Sequence, residues 1–203
     1  MASYNLCGWQ SARRIYVPTT LDQASQRKVR NGIAILSLLL VASAIAAFAL
    51  DQPAVNSPAP AFKLQNQEGS PVSLDEFKGK WVVLYFYPKD MSSGCTIEAH
   101  NFQKDLEKYK QKNAVILGVS MDSVDSHKQF CAKESLNFKL LSDSDRTVSE
   151  KYGSVMDYQG QKYSARNTFL IDPAGVIRKV YDKVDVRKHS TEVLADLDQL
   201  AKK

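Results

Sequence analysis

Residues 82–99 read Val82-Val83-Leu84-Tyr85-Phe86-Tyr87-Pro88-Lys89-Asp90-Met91-Ser92-Ser93-Gly94-Cys95-Thr96-Ile97-Glu98-Ala99, and this stretch decides the fold. It opens as an unbroken apolar, β-branched and aromatic run, the mark of a buried strand. Pro88 ends the strand, because its nitrogen cannot donate to a ladder. A short polar loop follows, with Gly94 as its permissive residue. Cys95 then opens an amphipathic helix in which Ile97, Phe102, Leu106 and Tyr109 recur at helical spacing. Strand, loop and helix thus place one cysteine at a helix N-terminus. Free N–H groups and the positive end of the helix dipole stabilise a thiolate there.

Downstream, Ala114 to Met121 is a second nearly continuous apolar run, as expected of a parallel strand buried on both faces. Asp122 or Ser123 caps a helix running to about Ser135. Leu140-Leu141 is a short strand, and Arg146 to Tyr152 is helical and stops at Gly153. Thr168 to Ile171 and Val176 to Tyr181 form a hairpin about the turn Asp172-Pro173-Ala174-Gly175. Val193, Leu194, Leu197 and Leu200 mark a last amphipathic helix. Upstream, Ala61 to Leu64 is a short strand and Val72 to Leu74 pairs back across a turn. The order predicts an α/β domain with a thioredoxin-like fold, a mixed sheet with helices on both faces, over residues 61–203.

The general pattern of the peroxiredoxins is Pro-x-x-x-Thr/Ser-x-x-Cys, matched here by Pro88, Ser92 and Cys95. Tyr87-Pro88-Lys89-Asp90 and Gly94-Cys95-Thr96-Ile97-Glu98-Ala99 resemble the bacterioferritin-comigratory, or Q-type, branch. The resemblance runs from about Ala59 to the C-terminus. It implies a thiol peroxidase whose substrates are hydrogen peroxide and organic hydroperoxides. Cys95 becomes a sulfenic acid, and thioredoxin or a thioredoxin-like protein is the reductant. Without that motif context, Cys95 would read as a small buried hydrophobe.

The resemblance also implies the roles of the other residues. Ser92 stands where most members have Thr, and its hydroxyl accepts from the peroxide and donates to the thiolate; a turn or N-cap serine is the plainer reading. Pro88 shields the thiolate as well as ending the strand. Arg166, in Ser164-Ala165-Arg166-Asn167-Thr168, matches the arginine the family carries before its late strand. Its charge holds the thiolate and its fixed donors orient the peroxide. Glu98 follows the family's Thr-x-Glu-Ala and has a supporting role, although a helix N-terminus alone favours a carboxylate there.

Two departures stand out. Ser93 replaces a usual proline, and His100 occupies the common position of the resolving cysteine. Cys131, 36 residues after Cys95, is then the candidate resolver, at a place some Q-type members use. A disulfide needs Cα atoms within about 7 Å, so local unwinding around Cys95 is expected. A core-facing thiol beside Phe130 is the plainer reading. A one-cysteine peroxidase using an external thiol is therefore an alternative, as is a membrane-anchored thioredoxin-like binding module without activity. A thiol–disulfide oxidoreductase would need a C-x-x-C pair, and the chain has none.

The chain carries a formal net charge of +5, unevenly placed. Residues 1–50 hold Arg13, Arg14, Arg27, Lys28 and Arg30 against Asp22, leaving the remainder nearly neutral, so no nucleic-acid partner is expected. Cys7, Cys95, Cys131 and the three histidines show no zinc spacing, and neither metal nor cofactor is expected. Residues 1–31 read as a polar basic tail. Residues 32–50 are 19 uncharged residues, enough for a transmembrane anchor. Lys28 and Arg30 before this run put the C-terminal domain on the non-cytoplasmic side of a single-pass membrane protein. Ala47-Phe48-Ala49 is also a signal-peptide cleavage pattern, which would give a secreted, periplasmic or organelle-lumen protein. Residues 51–60, with three prolines, read as a linker. The oligomeric state stays open, a monomer included.

Overall fold

The computed structural model describes residues 52–182 and 184–202. In chain order the strands and helices are β1 (Lys63–Asn66), β2 (Pro71–Ser73), β3 (Trp81–Phe86), α1 (Ser93–Gln111), β4 (Ala114–Ser120), α2 (Val124–Glu134), β5 (Lys139–Ser142), α3 (Thr147–Lys151), β6 (Val155–Tyr158), β7 (Gln161–Ser164), β8 (Thr168–Ile171), β9 (Ile177–Tyr181) and α4 (His189–Leu200). A 3-10 turn over Leu74–Phe77 follows β2.

Seven strands form one mixed sheet in the order β2-β1-β5-β4-β3-β8-β9. β3 pairs with β4 and β4 with β5 in parallel, while β8, β9, β1 and β2 add antiparallel neighbours on the two sides. Every residue of β3 is buried, as its unbroken apolar run requires. Alternate side chains serve opposite faces. Trp81, Val83 and Tyr85 join Ala99, Phe102, Leu106 and Val193 beneath α1 and α4. Val82, Leu84 and Phe86 join Val148 and Tyr152 of the α3 region on the other face. The expected thioredoxin-like α/β architecture is thus present, with helices on both faces.

Gly118 in β4 is a packing requirement. A Cβ there would lie 2.7 Å from Leu140 Cδ2 and 2.8 Å from the Tyr85 ring, so the absent side chain makes room for Tyr85.

Three features differ from the sequence reading. α1 begins at Ser93, so Cys95 lies inside its first turn rather than opening it. β6 and β7 form a separate hairpin that periodicity did not predict. The described part of the predicted linker is docked rather than free: Asn56 N–H donates to Ile177 O, Ile177 N–H to Ser57 O, and Ala59 N–H to Gly175 O. The expected basic tail and the apolar run 32–50 lie outside the described residues. Among the described residues, no helix is long and apolar enough to cross a membrane.

Candidate active site

The site lies at the carboxyl ends of the parallel strands β3 and β4, the end of an open α/β sheet at which ligands generally bind. β3 delivers Tyr87 and the half-buried Pro88 to the loop before α1. That loop is pinned to the end of β4: Asp90 N–H donates to Asp122 Oδ2 at 2.9 Å, and Ser120 Oγ donates to the same oxygen at 2.6 Å. Met91 takes a left-handed conformation with φ 57°, which turns the chain into the helix.

The first helical bond of α1 runs from Thr96 N–H to Ser92 O, and no side chain among the described residues caps the helix. The N–H groups of Ser93, Gly94 and Cys95 are therefore left without helical acceptors, and they point their dipoles into the site. Cys95 is buried at 1% exposure and is a free thiol.

Arg166 enters from the turn between β7 and β8. Its neighbour Asn167 fixes that turn, accepting from Phe86 N–H at 2.8 Å and donating to Ser154 Oγ at 3.1 Å. Arg166 Nη2 donates to Cys95 Sγ at 3.2 Å, and Nη1 donates to Glu98 Oε2 at 2.6 Å. Glu98, one helical turn after Cys95, is 1% exposed. Burial pushes its carboxyl up to about 7, against the opposing pull of Arg166. For Arg166, burial works against the charge, but Cys95 and Glu98 outweigh it and hold the guanidinium above its ordinary value. A thiol, a cationic fork and a buried carboxyl thus form one charged unit, suited to hold a sulfur anion beside an oxygen of a substrate.

Of the residues picked from sequence, Arg166 contacts both Cys95 and Glu98, which places Glu98 more centrally than a supporting role suggests. Ser92 flanks them at the helix N-cap, where its Oγ donates to Lys89 O at 3.0 Å rather than to the thiolate as expected, and keeps its lone pairs to accept a donor. Cys131 sits on α2, half-buried, packed against the same core cluster that contains Cys95. Burial, with Asp90 and Glu68 adding to it, pushes its thiol up to about 12. Sequence reasoning missed Tyr87, Asp90 and His127 as a buried polar cluster; only the Tyr-Pro-Lys-Asp run hinted at it. Among the described residues, no group of His, Cys, Asp and Glu could hold a metal ion.

The AhpC/TSA family pattern matches residues 55–180. The chain belongs to the AhpC/TSA family. Within it, the chain is a peroxiredoxin of the Bcp, or peroxiredoxin Q, branch. A putative peroxiredoxin bcp of Coxiella burnetii is 48% identical over 147 residues, spanning 70% of this chain and 97% of the relative. A chloroplastic peroxiredoxin Q of Sedum lineare is 43% identical over 145 residues, spanning 71% and 77% of the two chains. Among solved structures, the bacterioferritin comigratory protein of Xanthomonas campestris superposes with a TM-score of 0.66 at 36% identity, over 69% of this peroxiredoxin and 92% of that chain. That protein is described for its alkyl peroxide reduction activity. Two cysteine-to-serine variants of Xanthomonas campestris peroxiredoxin Q also match, with TM-scores of 0.66 and 0.65, at 37% and 36% identity, over 69% and 68% of this chain and 91% of each of theirs. Their substituted positions are 36 apart.

Proposed function

We propose that this peroxiredoxin reduces hydrogen peroxide and organic hydroperoxides with Cys95 as nucleophile. The observation that carries the reading is the 3.2 Å approach of Arg166 Nη2 to Cys95 Sγ at a helix N-terminus. The Cys95 thiolate attacks the distal peroxide oxygen. The S–O bond forms as the O–O bond breaks; the distal oxygen keeps its proton in the sulfenic acid, and the departing oxyanion takes one from solvent to leave as water or an alcohol. Arg166 stabilises the anionic sulfur and then the charge moving onto the leaving oxygen. Glu98 fixes the guanidinium, Pro88 covers the thiolate, and the Ser92 hydroxyl accepts a hydrogen bond from the peroxide O–H.

Cys131 resolves the sulfenic acid as an intramolecular disulfide, and thioredoxin or a similar dithiol protein restores both thiols. The separation of 36 between Cys95 and Cys131 equals that of the two cysteines substituted in the Xanthomonas campestris variants. A thioredoxin-coupled peroxide assay tests the reading. Cys95→Ser should abolish turnover, and Arg166→Ala should lower kcat/KM by about 10²–10³ through loss of one preorganised donor. Turnover surviving in Cys95→Ser would refute it.

The uncharged run 32–50 and its basic flank support a membrane anchor that holds the catalytic domain on the non-cytoplasmic side. Carbonate washing of membranes tests it. Recovery of soluble protein beginning near Leu50 would instead show cleavage after Ala49.

A further inference from the structure

Behind the active-site loop lies a buried polar cluster that peroxide reduction does not use. The Asp90 carboxylate accepts three side-chain donors: Tyr87 Oη at 2.7 Å, Ser126 Oγ at 2.7 Å and His127 Nδ1 at 2.8 Å. A carboxylate only accepts, so in the neutral imidazole the proton sits on Nδ1. Nε2 is left as a bare acceptor. It is fully buried and has no partner among the described residues. An unmade hydrogen bond at a buried polar atom costs about 1–3 kcal/mol, so stability does not account for it.

Cys131 follows His127 by four residues on α2. At that spacing Cβ atoms stand about 5–6 Å apart on one helix face, and side chains lean toward the preceding turn. The spacing puts the Cys131 thiol on the same helix face as the imidazole, and the thiol is not hydrogen-bonded to Nε2 in this structure. The thiol needs help to react. Burial, with the nearby Asp90 and Glu68 adding to it, pushes this thiol up to about 12, so its thiolate is disfavoured.

The other titratable groups around this turn are poor bases. Burial first, and then nearby negative charge, pushes the phenols of Tyr85 and Tyr87 well above their ordinary value, so both stay protonated. Glu68 lies exposed on the β1–β2 turn, and Glu134 is engaged by His100 of α1 at 2.9 Å.

We propose that His127 Nε2 is the base that takes the proton of Cys131 when this thiol resolves the Cys95 sulfenic acid, with Asp90 positioning the ring. The inference rests on Cys131 being the resolving cysteine. The Cys131 proton passes to Nε2, and the thiolate attacks Cys95 Sγ. The S–S bond forms as the S–O bond breaks. The Cys131 sulfur is oxidised and the Cys95 sulfur reduced by the same electron pair. The departing hydroxide takes the proton back from Nε2 and leaves as water, which restores His127 for the next cycle.

Single-turnover kinetics on the full chain tests this. One equivalent of hydrogen peroxide is added, reactions are quenched in time, and Cys95 sulfenic acid and Cys95–Cys131 disulfide are counted by mass spectrometry. In His127→Asn the ratio of resolution rate to sulfenic-acid formation rate should fall by about 10², the usual worth of a general base. Its resolution rate should then climb with unit slope in pH as hydroxide takes over. Asp90→Asn gives a second route, because its amide donates to Nδ1 and forces the proton onto Nε2; the ratio should fall similarly. A general packing defect slows both steps and leaves the ratio unchanged. Either folded variant keeping the parent ratio overturns the role of His127. A parent that forms no Cys95–Cys131 disulfide overturns the reading of Cys131 itself.

Discussion

Arg166 Nη2 lies 3.2 Å from Cys95 Sγ, while the other arm of the same guanidinium is held by Glu98 at 2.6 Å. The planar fork cannot rotate toward one partner without disturbing the other, so Glu98 sets where the cation meets the sulfur. This is a contact between residues 71 positions apart, brought together because β8 pairs directly with β3.

Gly94 provides the room for that contact. A Cβ on Gly94 would lie 3.0 Å from Arg166 Nη2, tight enough to push the guanidinium aside. Gly94 lies in the first turn of α1 and its φ is not positive, so alanine suits the backbone and improves helix propensity by up to about 1 kcal/mol. Gly94→Ala should therefore keep or raise Tm while lowering kcat/KM for peroxide about tenfold, as a misplaced orienting group does. Thermal melting and peroxide kinetics on one preparation check it; unchanged kcat/KM would show that the sulfur does not depend on this placement.

Glu98 gives the site a pH dependence of its own. Its carboxyl is raised to about 7 in the folded protein, so the charged form that anchors Arg166 populates only as pH rises through that value. The sign for stability is opposite: folding favours the protonated acid, and that contribution is present at low pH and lost as pH rises through about 7. Peroxide reactivity of Cys95 should step upward through this range. Glu98→Gln should lose that step and react more slowly on its alkaline side. A step of equal size in both proteins would assign it to another group.

Much of this was legible because it is local. β3, α1, α2 and the β8–β9 hairpin announce themselves through apolar runs, helical spacing and the Asp172–Gly175 turn. The β6–β7 hairpin escaped because its strands are at most half-buried but for Ser164 and lack alternation, although its turn residues Gln159 and Gly160, at φ 54° and 77°, form a hairpin signal. The roles of Glu98 and Asp90 were hidden for a different reason. Their partners, Arg166 and His127, lie 68 and 37 residues away, and only the sheet order brings them near. A first-turn glutamate is sufficiently explained by the helix dipole, so nothing in the sequence asked for an ion pair.

His189 should govern acid stability. It is buried at 1% exposure, Nε2 lies 2.8 Å from Thr168 Oγ1, and burial pushes the imidazole from 6.5 down to about 4. A lowered imidazole favours the neutral folded form. Its contribution is therefore full above the unfolded value and is lost as pH falls from 6.5 through about 4. The difference is worth about 3 kcal/mol. Denaturant unfolding across that window should show the loss in the parent protein and a smaller one in His189→Gln. Parallel curves for the two would assign the acid sensitivity elsewhere.

The central claim is that Cys95 takes oxygen from peroxide and Cys131 resolves it. Peptide mapping of the protein after one equivalent of hydrogen peroxide, with free thiols alkylated at the quench, tests this most directly. The predicted result is a single linked pair joining the peptides of Cys95 and Cys131, absent from Cys95→Ser and replaced in Cys131→Ser by sulfenic acid on Cys95. Cys95 recovered fully alkylated after the peroxide is consumed would contradict the account.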